Sequence, residues 1–229
     1  MQPLNIRVTQ LEKFRRFICE VSEFETEESL METLTGKFEG NEYTRIGTAF
    51  HLIIEQGNYC CDESMNNVYI GENLIKFNKS HINIALNYKD SIKGCFHEIW
   101  TNKTYNINGT ELNISGCADV ILGNQIRDIK TKYSYLKNIA DYTDSIQWKL
   151  YCDIFELPEF YFDVFEFKGY DKEKHGYDVS ALTLVKHEPI HCIEYSSMQK
   201  DIQYLLAEFI EFVRFRKIEH LFFEPIKIK

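Results

Sequence analysis

Gly116-Cys-Ala-Asp-Val-Ile-Leu-Gly-Asn-Gln-Ile-Arg-Asp-Ile-Lys-Thr131 is the stretch on which the reading of this chain turns. Gly123-Asn124 is a two-residue hairpin signal, because glycine tolerates the positive φ that tight turns between antiparallel strands require. It separates residues 111–122 from residues 125–131, and both flanks read as strands. Joined there, the strands bring Asp119 and Asp128 close to each other across the ladder. Asp128 and Lys130 are two apart, so their side chains share one face of the sheet. Adjacent carboxylates repel unless a cation compensates, and oxygen ligands of this kind suit Mg²⁺ or Mn²⁺. Such an ion polarises a phosphodiester and lowers the pKa of a bound water. Lys130 would then orient or deprotonate that water, or stabilise charge developing on the phosphate. The alternative is a solvated strand face carrying Asp–Lys pairs. The apolar run Val120-Ile-Leu122, with Ile126 and Ile129, weighs against it by placing the carboxylates at the edge of a core.

Outward from the hairpin, helical and strand patterns alternate. Leu11, Phe14, Phe17 and Ile18 share one helical face within residues 8–19. Thr44 offers an N-cap for a helix over 45–56 that Gly57 ends, with Ile46, Phe50 and Ile53 as its apolar stripe. Residues 58–90 are ambiguous, with 72–77 and 81–86 as possible helices. Residues 96–100 read as a strand and 106–110 as a turn. Residues 143–156 read as an amphipathic helix, 160–167 and 181–186 as a strand pair, and 197–217 as a helix. The expected fold is α/β (α+β), with a central mixed sheet flanked by helices. One domain spans 1–229, with a core over about 44–187 and helical additions at both ends.

Composition narrows the class. A hydrophobic content of 44%, with 17 Phe and 14 Tyr, excludes general disorder. No segment approaches the roughly 18–20 uninterrupted apolar residues that cross a bilayer. The first residues lack an apolar signal core, so a cytoplasmic location and no membrane partner are expected. Seven cysteines, an odd number with no C-x-x-C pair, argue against a disulfide framework or a structural zinc. The net charge of −9 points away from a general electrostatic binder of nucleic acid. Basic residues for a local groove are Lys130, Lys132 and Lys137, and separately Arg214, Arg216 and Lys217. His187 and His191 have helical metal-ligand spacing, but Pro189 between them breaks a helix, so the segment reads as a loop without metal. Glu98 keeps a possible auxiliary acidic role. The aromatic-rich segments 155–167 and 209–223 read as core.

G-x-x-D followed by D-x-K-T on the next strand resembles the core motif of the PD-(D/E)xK nuclease superfamily, and more narrowly its RecB-like exonuclease branch. Gly47-Thr-Ala-Phe-His51-Leu-Ile-Ile-Glu55 resembles that branch's first-helix motif, in which a His reaches the metal. Gln147-Trp-Lys-Leu-Tyr151 resembles its Q-x-x-x-Y motif, and Val8-Thr-Gln-Leu-Glu-Lys-Phe14 is more loosely like its N-terminal helix. The likeness runs in order over residues 8–156. It implies a restriction-endonuclease-like core and a divalent-metal-dependent DNA exonuclease. His51, Asp119, Asp128 and the backbone carbonyl of Ile129 would hold Mg²⁺ or Mn²⁺. Lys130 would act on the attacking water, and Gln147 and Tyr151 would hold the DNA strand or shape the site. Glu55 is either a second ligand or a partner of the imidazole. The C-terminal cysteine cluster of some members is missing, so no iron–sulfur cluster is expected. No nucleotide-binding helicase motif occurs, so unwinding would need a helicase or recombination partner. The small bare core is similar to stand-alone phage or prophage exonucleases, some of which form rings, and this implies a homo-oligomer. The competing functions are a structure- or site-specific endonuclease of the same fold and a catalytically silent DNA-binding or assembly protein.

Overall fold

Two hairpins build the centre of the molecule in the computed structural model, which describes residues 2–38, 40–62, 64, 66–134 and 140–226. Asn108 and Gly109, with φ of 51° and 79°, turn the chain between Ile107 and Thr110. Positive φ at both central residues is the turn whose twist matches that of paired strands. Gly123, with φ of 60°, turns it again between Leu122 and Gln125. In chain order the elements are β1 (Leu4–Arg7), α1 (Val8–Ile18), α2 (Glu27–Leu34), α3 (Glu42–Gln56), β2 (Asn67–Ile70), β3 (Asn73–Lys76) and α4 (Lys79–Ser91). Next come β4 (Phe96–Ile107), β5 (Thr110–Leu122), β6 (Gln125–Lys132), α5 (Ala140–Thr143), α6 (Ile146–Phe155) and β7 (Glu159–Lys168). The last are α7 (Lys172–His175), β8 (Thr183–Lys186), β9 (Ile190–Ile193) and α8 (Met198–Phe215).

Seven strands form one mixed sheet. β5 is antiparallel to β4 and β6 and parallel to β1, while β6 and β7 run parallel. A parallel pair needs a crossover, and α6 supplies it. β8 and β9 both lie antiparallel to β7. β7 is covered on both faces, and Phe160, Phe162, Phe165 and Phe167 are each at most 1% exposed. Each such burial stabilises by ~1.5–3 kcal/mol. Phe160 and Phe162 join Leu11, Phe14, Leu150 and Phe209 in the core under α1, α6 and α8. Phe165 and Phe167 join Ile46, Phe50, Ile53 and Ala85 in the core under α3 and α4. The aromatic segments are therefore core, as expected, although Phe215 stands exposed.

Several local expectations are corrected. Asn41, not Thr44, caps α3: its Oδ1 accepts from Thr44 N at 3.1 Å, and Thr44 Oγ1 accepts from Asn41 N at 2.8 Å. Both residues have capping side chains, and this reciprocal box starts the helix a turn earlier. Residues 72–77 are not helical, because Gly71, with φ of 59°, closes the β2–β3 hairpin instead. The 187–191 loop reading holds only as far as Pro189, beyond which β9 pairs with β7. The terminal segments are not appendages either, since β1 lies in the central sheet and α1 and α8 share its core. Among the described residues no helix is long and apolar enough to cross a membrane.

Candidate metal centre

One edge of β5 is paired with β4 along almost its whole length. The other edge pairs with β1 only through Leu112–Ser115 and with β6 only through Val120–Leu122. Residues 116–119 thus face a gap between two strands, and buried backbone groups there need other partners. Tyr151 on α6 donates its hydroxyl to the Cys117 carbonyl at 2.8 Å. Asp119 Oδ2 accepts from the backbone N–H of Ile129 at 2.8 Å. Gly116 makes room for this, because a Cβ there would lie 3.0 Å from the Tyr151 ring and 3.4 Å from Val8.

Opposite the gap, Glu98 on β4 has φ of 51°, a conformation that costs a non-glycine residue ~1–3 kcal/mol. The inward face of β5 changes beside it: Ala118 belongs to the core under α1 and α6, and Val120 to the core under α3 and α4. Asp119 sits at this switch. The ladder to β6 stops at Val120 and Arg127, so Asp119 and Asp128 meet where the strands splay and not as a cross-strand pair.

Asp128 is 6% exposed. Its Oδ1 accepts from Gln147 Nε2 at 2.8 Å. Its Oδ2 lies 2.7 Å from Lys130 Nζ, a charge contact without the alignment of a hydrogen bond. Burial pushes the Asp128 carboxyl up to about 6, against the lowering influence of Lys130 and with a further push from Asp119. Burial works against the Lys130 ammonium as well, but Asp128 and Asp119 outweigh it and raise its pKa. The two carboxylates thus favour the Lys130 ammonium, which is suited to donate hydrogen bonds. His51 on α3 places Nδ1 3.9 Å from Asp119 Oδ2, beyond hydrogen bonding.

A cleft of about 260 Å³ is lined by His51, Asp119, Asp128, Ile129, Lys130, Gln147 and Tyr151, together with Arg7, Thr9 and Trp100. His51, Asp119, Asp128, Ile129, Lys130, Gln147 and Tyr151 thus line one concavity, and Glu55 does not. Two carboxylates and an imidazole are a donor set for Mg²⁺ or, given the nitrogen, Mn²⁺. Asp128 Oδ2 is buried against the Lys130 ammonium, which a metal ion at that oxygen would displace. Among the described residues no three His, Cys, Asp or Glu side chains converge closely enough to coordinate one ion.

Glu55 does not line the cleft, although its backbone carbonyl accepts from Lys89. Glu98 is exposed and its carboxylate accepts from Cys117 Sγ at 3.3 Å. His187 pairs with Glu166 at 2.9 Å and His191 with Glu159 at 3.4 Å, so the two histidines are held by different carboxylates. Lys132 lines an adjoining cavity with Lys130 and Arg16, and Lys137 lies outside the described residues.

Glu12 is the residue that sequence reasoning passed over. Its Oε2 accepts from Ser145 Oγ and from Ile146 N, both at 2.9 Å, and so holds the start of the helix that carries Gln147. A carboxylate is well placed at a helix N-terminus. Nothing local in the sequence marks it, since the two residues are far apart in the chain.

No family model matches the chain, and no curated protein matches it. The solved structure of SSO0001 is similar, with a TM-score of 0.50 at 15% identity, covering 93% of this chain and 77% of that one. At that identity the likeness bears on the fold alone: a mixed α/β architecture in which a central sheet is flanked by helices.

Proposed function

We propose that this protein is a divalent-metal-dependent nuclease with a restriction-endonuclease-like core, acting on DNA as an exonuclease. The observation that carries this reading is the convergence of Asp119, Asp128 and Lys130 at the splayed end of the β5–β6 hairpin, with His51 and Gln147 beside them. His51, Asp119 and Asp128 would hold Mg²⁺ or Mn²⁺, with the Ile129 backbone alongside. The bound ion would supply Lewis acidity and an activated water. The chain's own residues do the positioning. Gln147 fixes the Asp128 carboxylate through Oδ1, and the Ile129 N–H fixes Asp119 through Oδ2. Lys130 presents its ammonium to charge that grows on the phosphoryl oxygens, where a preorganised donor is typically worth ~2.7–4 kcal/mol.

The test is digestion of end-labelled single- and double-stranded DNA with added Mn²⁺. Chelation, Asp119→Ala and Lys130→Ala should each abolish it, and chelator-sensitive activity that survives either substitution sinks the assignment. A covalently closed circle separates an exonuclease, which leaves it intact, from an endonuclease of the same fold. One observation favours a second reading. Lys130 stands on the oxygen that a metal would use, and no tight three-ligand group forms among the described residues. A catalytically silent DNA-binding or assembly protein would keep that pair permanently closed. Failure to bind Mn²⁺ in calorimetry would select it.

A further inference from the structure

Three concavities meet at Gln147. The candidate centre shares Lys130 with a cavity of about 370 Å³ that also holds Arg16 and Lys132. It shares Thr9 with another, of about 500 Å³, between α1 and α2. Gln147 lines all three, so they lie side by side around one side chain.

The two side cavities differ in chemistry. In the first, Lys132 stands with Lys130 and Arg16, which are paired with Asp128 and Glu25, opposite Glu12 and Asp141. In the second, Lys13 and Arg16 are both held by Glu25 at 2.6 Å, while Glu12 and Glu32 add carboxylates. Its lip is Phe38, 53% exposed. A phosphate is better placed in the first cavity, where Lys132 adds a cation, than in the second, where Glu25 holds both cations. A heterocycle suits the second, because Phe38 offers a flat apolar face and the carboxylates accept from amino and ring N–H groups.

Local chain geometry puts Phe38 there. α2 ends at Leu34, and Gly36 takes φ of 70°. Gly36 N and Lys37 N return to the carbonyls of Thr33 and Glu32 at 3.3 and 2.9 Å, closing the helix end and swinging the chain to the cavity mouth. Exposure of one aromatic residue is commonplace. Its place at a cavity that shares Thr9 and Gln147 with the candidate centre is what carries the inference.

We propose that the cavity between α1 and α2 seats an unpaired base of the substrate strand, stacked on Phe38, next to the nucleotide whose phosphate lies at Asp119 and Asp128. This rests on the nuclease reading and adds a substrate class to it: a single-stranded end or tail. A base stacked on Phe38 between Glu12 and Glu32 has left its complementary strand.

The test uses the full chain and a short fluorescein-labelled single-stranded DNA, bound in calcium and followed by anisotropy. In matched oligonucleotides, one abasic residue is moved stepwise along the strand. For the native protein, one abasic position should weaken binding about 5- to 150-fold, the range that stacking of a single base gives. Phe38→Ala should lose as much on the intact strand and become indifferent to that position, and Phe38→Trp should retain both affinity and sensitivity. Phe38→Ala binding the intact strand as tightly as the native protein, while manganese-dependent cleavage persists, overturns the seat and leaves the nuclease reading standing. Neither binding nor cleavage by the native protein overturns both.

Discussion

Tyr151 shows how one side chain serves both the fold and the site. Its hydroxyl takes up a carbonyl of the unpaired β5 edge, and its ring lies over Gly116, where any Cβ would crowd it. The strand segment ahead of Asp119 is therefore held from α6, the helix that also sends Gln147 to Asp128. Tyr151→Phe removes one hydrogen bond and keeps the packing. It should cost about 1 kcal/mol of stability, read as a lower denaturant midpoint at unchanged slope. Nuclease activity should fall severalfold while Mn²⁺ affinity by calorimetry stays the same, because no ligand is lost. Native-level activity in this variant would show that the 116–119 edge needs no support from the helix.

At the scale of the element, α3 lies against β6 at a distance set by a single residue. A Cβ on Gly47 would stand 2.7 Å from Thr131 Oγ1. Glycine inside a helix is unfavourable by ~0.8–1.0 kcal/mol relative to alanine, so this residue is retained against the helix's own preference. One turn further on, the same helix carries His51 to Asp119. Gly47→Ala should gain helix propensity but lose more through overpacking, ~1–3 kcal/mol, and displace His51. Thr131→Ala in the same chain removes the obstructing oxygen and should restore both stability and metal affinity, a coupling of ~0.5–3 kcal/mol in a double-mutant cycle. A rise in stability from Gly47→Ala alone would refute the constraint. Such contacts also explain what was legible in the sequence. The hairpin at Gly123, the helix under Ile46, Phe50 and Ile53, and the face shared by Asp128 and Lys130 follow from local chemistry and periodicity. β1 did not, because four residues paired in parallel with Leu112–Ser115 carry no local signature. The hold of Glu12 on α6 and the gap in β5 are likewise products of tertiary pairing. The cap at Asn41 was missed because Thr44 has the same capping chemistry.

At the scale of the molecule, the proposed function requires a chain of net charge −9 to bind a polyanion through a small local field. Among the described residues the cations lining the cavity proposed for phosphate are Arg16, Lys130 and Lys132, and Arg16 is already paired with Glu25. Burial holds the Lys132 pKa down, and its cationic neighbours Lys130 and Arg16 act in the same direction. An approaching phosphate acts in the opposite direction and favours the Lys132 ammonium. Few phosphates are then neutralised, and few counterions released. For single-stranded DNA each neutralised phosphate contributes about −0.7 to the slope of log K against log salt, so a total near −2 is expected. Lys132→Ala should reduce the slope by about 0.7, while Phe38→Ala should weaken binding at every salt concentration with no change of slope. Anisotropy titrations across a salt series measure both. A slope far steeper than −2 would mean that another basic surface, such as that around Arg214 and Arg216, carries the strand, or that several copies of the chain pool their cations around it.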